Sequence, residues 1–120
     1  MYKVLIVDDA KLMRSMVKGA LETHGNYTVL EAENGDAAIE LYKVTKPDLV
    51  TMDITMDIKN GVDAAKEILK FDPDARIIMI TALGQETFLK ECIGAGVKDF
   101  IVKPFTTERI VSAVSKILSE

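Results

Sequence analysis

The sequence predicts an α/β fold, an open, doubly wound sheet of five parallel strands with helices on both faces. Three observations lead there. Five short apolar runs alternate with five segments of helical periodicity, and right-handed crossovers between such runs lay each helix over a parallel sheet. The central runs are apolar throughout, as strands buried on both faces must be. The 120 residues suffice for one core, are too few for two, and cannot supply the eight βα units of a closed barrel.

The elements follow in order. Lys3-Val4-Leu5-Ile6-Val7 is the first strand and stops at Asp8-Asp9. Met13, Met16, Val17, Ala20 and Leu21 then share one helical face, and His24-Gly25-Asn26 ends that helix. Tyr27–Ala32 alternates more and ends in charge, as an edge or near-edge strand would. After the Asn34-Gly35 turn, Asp36 is placed to cap a helix carrying Ala38, Leu41 and Tyr42. Lys46-Pro47-Asp48 breaks it. Leu49-Val50-Thr51-Met52-Asp53 is the central strand, an apolar run ending on a carboxylate. A polar loop reaches Gly61, and a helix with Ala64, Ala65, Ile68 and Leu69 runs to Asp72-Pro73-Asp74. Arg76–Ile80 is the fourth strand, ending at Thr81. Phe88, Leu89, Cys92 and Ile93 mark the fourth helix, which Gly94-Ala95-Gly96 should stop. Phe100-Ile101-Val102 leads to Lys103-Pro104, and Ile110, Val111, Val114, Ile117 and Leu118 form the apolar face of the last helix.

Composition excludes several functional classes. The chain is 48% hydrophobic and 28% charged, with no apolar run of membrane-spanning length and no signal-peptide pattern, so it is expected to be soluble and without a membrane partner. Net charge is −4 without a Lys/Arg cluster, which leaves no electrostatic footprint for nucleic acid. Cys92, the single cysteine, can make no internal disulfide and reads as a small helix-packing residue, in keeping with the cytoplasm. His24 is the single histidine, which rules out a multi-histidine metal site.

The strand ends carry the chemistry. Asp8 and Asp9 follow the first strand, Asp53 ends the third, Thr81 the fourth, and Lys103 follows the fifth. In a parallel sheet these ends share one edge, where open α/β folds bind their ligands. Taken singly each has an ordinary explanation: acids and threonines cap helices, and a lysine before proline is a common surface residue. Their convergence on one edge does not. Two carboxylates about 5 Å apart repel by roughly 3 kcal/mol at an effective dielectric of about 20, so three need a cation or raised pKa values. Oxygen donors of this kind suit Mg²⁺ or Mn²⁺. A cation, an ammonium and a hydroxyl facing one carboxylate describe phosphoryl transfer, with Asp53 as the nucleophile.

With these residues in place the chain resembles a receiver domain of the two-component response regulators, and is most similar to the single-domain chemotaxis type. The likeness spans residues 1–120 and rests on VLIVDDAKLMR at Val4–Arg14, LVTMDITM at Leu49–Met56, Asn60-Gly61, IIMITALG at Ile77–Gly84 and KDFIVKPF at Lys98–Phe105. It implies strand order 2-1-3-4-5, an order that general accounts of this fold also give for the chemotaxis receiver. It implies that Asp9, Asp53 and the Thr55 carbonyl ligate Mg²⁺, with Asp8 acting mainly through a bound water. Asp53 would accept the phosphoryl group from a histidine kinase, and Thr81 and Lys103 would bind it. Phe100 matches the switch aromatic, whose ordinary alternative is strand core; it lacks a tyrosine hydroxyl. The implied product is a phosphorylation-activated signalling switch rather than an enzyme. It would act as a monomer on a motility switch protein or an adaptor, through a surface spanning Glu86–Gly94 and Phe100–Leu118, and a phosphatase would shorten its signal.

The chain departs from the family at Asp57, where proline is usual; this frees a backbone N–H and adds a charge beside the metal loop. Thr55 and Leu83, two residues beyond Asp53 and Thr81, stand where many chemotaxis receivers carry an amide and an acid able to orient water. Slow self-dephosphorylation is therefore expected. Other readings stay open: a phosphorelay intermediate, a Mg²⁺-dependent phosphohydrolase with an aspartate nucleophile, and a flavodoxin-like cofactor binder. The phosphohydrolase type places its nucleophile in a D-x-D pattern, whereas Asp8 and Asp9 are adjacent here. Asp8-Asp9-Ala10-Lys11 would repel the phosphate of a flavin.

Overall fold

A computed structural model describes residues 1–56, 59–82 and 87–120. Asp57, Leu83 and Glu86, singled out above, lie outside the described residues. Ten elements alternate strictly: β1 (Tyr2–Val7), α1 (Lys11–His24), β2 (Tyr27–Ala32), α2 (Gly35–Thr45), β3 (Leu49–Asp53), α3 (Gly61–Phe71), β4 (Ile77–Thr81), α4 (Thr87–Ala95), β5 (Asp99–Val102) and α5 (Thr107–Leu118). The strands form one parallel sheet in the order β2-β1-β3-β4-β5. The chain moves outward from β1 to β2 and then crosses back over β1 to β3. The strand order therefore reverses between β1 and β3, and a crevice opens beyond their carboxyl ends.

Successive side chains of a strand point to opposite faces, so each continuous apolar run feeds two cores. From β1, Val4 and Ile6 join Leu49, Ile78, Ile80 and Ile101 under α1 and α5. Leu5 and Val7 join Val50, Met52, Ile77 and Met79 under α2, α3 and α4. The inner strands β3 and β4 are buried along their whole length, whereas β2, at the edge, is mostly half-buried or exposed. That gradient is what the sequence pattern implied.

The helix boundaries show where local chemistry differs from the expectation. Asn34, not Asp36, caps α2, its side chain accepting from Ala37 N–H at 2.8 Å; Asp36 sits in the first turn, where its charge suits the helix dipole. Asn60 and Thr106 cap α3 and α5 in the same way. Gly94 lies inside α4, and the chain leaves that helix at Gly96 with φ +117, a conformation that glycine tolerates best. Thr81 is six residues ahead of Thr87, the first residue of α4, and does not cap it. On α4 only Leu89 and Cys92 are buried; Phe88 and Ile93 of the expected apolar face remain 44% and 55% exposed.

Candidate functional site

Four strand ends build the site. β1 hands over to Asp8, which is 4% exposed, and to Asp9, which faces solvent. Asp8 is locked in place by its neighbours. Its N–H continues the β1–β2 ladder by donating to Ala32 O, and its Oδ1 accepts from Ala10 N–H at 2.9 Å. The start of α1 thus draws on Asp8 through a short turn, and no side chain caps the helix at Ala10.

Asp53 closes β3 at 5% exposure, beside Ile80 of β4 in the strand register. The chain behind it passes close by. Gly61 N–H donates to Ile54 O at 2.7 Å, and a Cβ at Gly61 would come within 1.9 Å of Asp53 O. Only glycine permits that approach. The tight return from the β3 loop into α3 therefore rests on one residue, Gly61 of the Asn60-Gly61 pair.

Thr81, fully buried, ends β4, and its carbonyl accepts from Lys103 N–H at 2.7 Å. That backbone bond brings the lysine to the site. Lys103 Nζ lies 3.1 Å from Asp53 Oδ1 and 3.6 Å from Asp8 Oδ2. Thr81 Oγ1 donates to Ala82 O at 3.2 Å. The carboxylate oxygens of Asp8, Asp9 and Asp53 lie within 4.8 Å of one another. The structure thus brings together Asp8, Asp9, Asp53 and Lys103 through side chains, and Thr81 through its strand. Thr55 is exposed just beyond β3, and Phe100 is half-buried in β5 against the core beneath α4.

Among the described residues the Lys103 ammonium pairs with two of the three carboxylates, Asp53 and Asp8. Burial above all, then the Asp8 charge, push the Asp53 carboxyl up to about 6; Lys103 pulls it down through hydrogen bond and charge, and Asp9 adds a smaller push. A buried, raised carboxylate in an anionic cluster is the electrostatic signature of a cation site. The donors are hard oxygens with no thiolate or imidazole among them, which fits Mg²⁺ or Mn²⁺ and not a soft metal.

Arg14, the last residue of the stretch Val4–Arg14, lies beside the site. Its Nη1 donates to Asp8 O at 2.7 Å and its Nε to Glu31 Oε1 at 3.0 Å. Nothing in the periodicity of α1 marks these contacts, which reach back to the end of β1 and across to β2.

Comparison with known proteins agrees with this geometry. Residues 4–115 match the response regulator receiver domain family. The chain is 54% identical to the chemotaxis protein CheY of Thermotoga maritima over 115 residues, 96% of each chain. It is 52% identical to CheY of Bacillus subtilis, over 98% of each. Among solved structures, the chemotaxis protein CheY4 of Vibrio cholerae superposes with a TM-score of 0.90 at 27% identity, over 98% of each chain. Fold, acidic cluster and relatives agree, and the chain belongs to the response regulator receiver family.

Proposed function

We propose that this receiver takes a phosphoryl group from the phosphohistidine of a histidine kinase onto Asp53 and, once phosphorylated, binds a component of a motility apparatus. The observation that carries the reading is the placement of Lys103 Nζ 3.1 Å from Asp53 Oδ1, inside a cluster of three carboxylates. An Asp53 oxygen attacks phosphorus; the new P–O bond forms as the P–N bond breaks, and the electron pair leaves with the imidazole, which is reprotonated. Lys103 pairs with the phosphoryl oxygens as they approach. Thr81 exchanges its 3.2 Å bond to Ala82 O for one to a phosphoryl oxygen. Asp8, Asp9, Asp53 and the Thr55 carbonyl would hold Mg²⁺, or Mn²⁺, whose charge offsets that of the transferring group.

The output face is assigned to α4, β5 and α5. Exposed Phe88 and Ile93 on α4 and Val102 on β5 support it, with Phe100 of β5 half-buried against the core. Apolar side chains left in solvent beside a half-buried aromatic suit a surface that a partner covers in one state only. The chain's own chemistry is confined to gaining and losing the phosphoryl group, so it acts as a signalling protein. We assign it to the cytoplasm as a monomer, with a phosphatase as a further partner.

The test is labelling by a small phosphodonor. With Mg²⁺ and acetyl phosphate, intact mass should rise by one phosphoryl group in the wild type and stay unchanged in Asp53→Asn. Equal labelling of the two would remove Asp53 as the nucleophile.

A further inference from the structure

Of the three carboxylates in the cluster, Asp9 is the one whose side chain nothing in the described residues holds. Asp8 is fixed by Ala10 N–H and approached by Lys103, and Asp53 accepts from Lys103. Asp9 is exposed and has no hydrogen bond or ion pair among the described residues. The point from which it reaches the cluster is therefore set by the backbone that carries it, and above all by the Asp8–Asp9 peptide plane. The oxygen of that plane is Asp8 O, and Arg14 Nη1 donates to it at 2.7 Å.

We propose that Arg14 is a positioning residue for the acidic pocket: by holding the Asp8 carbonyl it fixes the Asp8–Asp9 peptide and aims the Asp9 carboxylate at Asp8 and Asp53. The inference rests on the proposed cation role of that cluster. Three features support it. The Arg14 side chain is only 13% exposed, so packing restrains it. It is anchored from the far side by Glu31, whose residue pairs with Ile6 in the β1–β2 register, so the clamp spans β1, α1 and β2. Glu31 also offsets the arginine's charge, which lets Arg14 act on a cation-binding pocket through geometry with little repulsion of the cation. A planar fork meets a carbonyl and a carboxylate at once; a lysine ammonium in its place cannot reproduce that arrangement.

Positioning and charge make opposite predictions. If Arg14 only repelled the metal, removing it would tighten binding. If it aims Asp9, removal weakens binding. Mg²⁺ alone is titrated by calorimetry into wild type, Arg14→Ala, Arg14→Lys, Glu31→Gln, Asp9→Ala and the Arg14→Ala, Asp9→Ala double variant, with unfolding midpoints taken alongside. We expect Kd to rise about fivefold or more in Arg14→Ala, less in Arg14→Lys, and by less than about twofold in Glu31→Gln, which keeps an acceptor for Nε. Arg14→Ala should add nothing once Asp9 is gone; a merely structural loss would still add. Unchanged or tighter Mg²⁺ binding in Arg14→Ala, or in Arg14→Lys should the alanine variant not fold, overturns the inference. An unchanged affinity in Asp9→Ala overturns the underlying cation reading as well, which separates the two failures.

Discussion

Replacing Asp53 by asparagine should make the metal-free protein more stable at neutral pH, although it removes an ion pair. Asp53 is raised from its ordinary 3.8 to about 6, first by burial and then by Asp8, with Lys103 only partly compensating. Between those two values the folded state holds a proton that the unfolded chain has released. Stability therefore falls as pH rises through the window, and the penalty is complete above about 6.5. A rise from 3.8 to about 6 corresponds to about 3 kcal/mol against the ionised form. Asparagine resembles the neutral acid in shape and keeps a carbonyl for the Lys103 ammonium, which donates to Asp53 Oδ1 at 3.1 Å. The variant should therefore gain most of that sum, about 1–3 kcal/mol.

The assay is urea unfolding of wild type and Asp53→Asn in chelator, across a pH series from about 3.5 to about 7.5. The two should coincide at the acid end, diverge between 3.8 and about 6, and run parallel above. Saturating Mg²⁺ should narrow the gap, since a ligand held better by the wild type stabilises it by mass action. A gap that is constant with pH, or an asparagine variant less stable at neutral pH, would refute the view that Asp53 is held charged against the preference of its surroundings.

Three further outcomes follow from particular atoms. Thr51 Oγ1 is fully buried in β3 and has no hydrogen-bond partner among the described residues, so Thr51→Val, close in shape, should be neutral or stabilising by about 1 kcal/mol in the same unfolding assay. Gly61→Ala places a methyl where Asp53 O already stands, 1.9 Å from the ideal Cβ; it should cost about 3 kcal/mol or more and lower acetyl-phosphate labelling, both read against wild type. A Thr55→Asn, Leu83→Glu variant adds groups able to orient water, and its phosphorylated form should decay several-fold faster after donor removal than the wild type. An unchanged decay with a slower one in Asp57→Pro would point to loop mobility instead.

Most of the fold was legible because burial dictates it. Val4–Val7, Leu49–Met52 and Ile77–Ile80 had to be inner strands, since no amphipathic alternative accommodates such runs. Asp8, Asp53, Thr81 and Lys103 were legible as strand-end residues once the strands were parallel. The strand order came from resemblance, because periodicity places a strand in a sheet without saying beside which neighbour. Smaller features depended on contacts distant in sequence. Asn34 and Asp36 are both good capping residues two positions apart, and the backbone at Asn34, with φ −157, decides between them. Phe88 and Ile93 have the spacing of core residues, but α4 is short and presents only Leu89 and Cys92 to the sheet. Arg14 closes the stretch Val4–Arg14, but its bond to a carbonyl of the preceding strand end leaves no mark in the periodicity.

The same contacts indicate how a charge placed on Asp53 reaches the proposed output face. Lys103 connects to Asp53 through its ammonium and to Thr81 through its backbone N–H at 2.7 Å, so the two groups assigned to the phosphoryl oxygens are already joined. Thr81 pairs with Val102 in the β4–β5 register, and Met79 with Phe100. A displacement of Thr81 toward Asp53 therefore acts on the end of β5, an edge strand with hydrogen-bonded pairing on one side only. Arg109 restrains that strand from α5, donating to Phe100 O at 2.8 Å and lying 3.6 Å from Asp99. The inner strands are fully buried and resist deformation, whereas β5 has two of its four residues half-buried and one exposed. On the proposed reading, strain introduced through Thr81 would be relieved in β5, the more loosely packed of the two strands that β4 pairs with. In this sheet that element carries Phe100 and Val102, the residues assigned to partner binding.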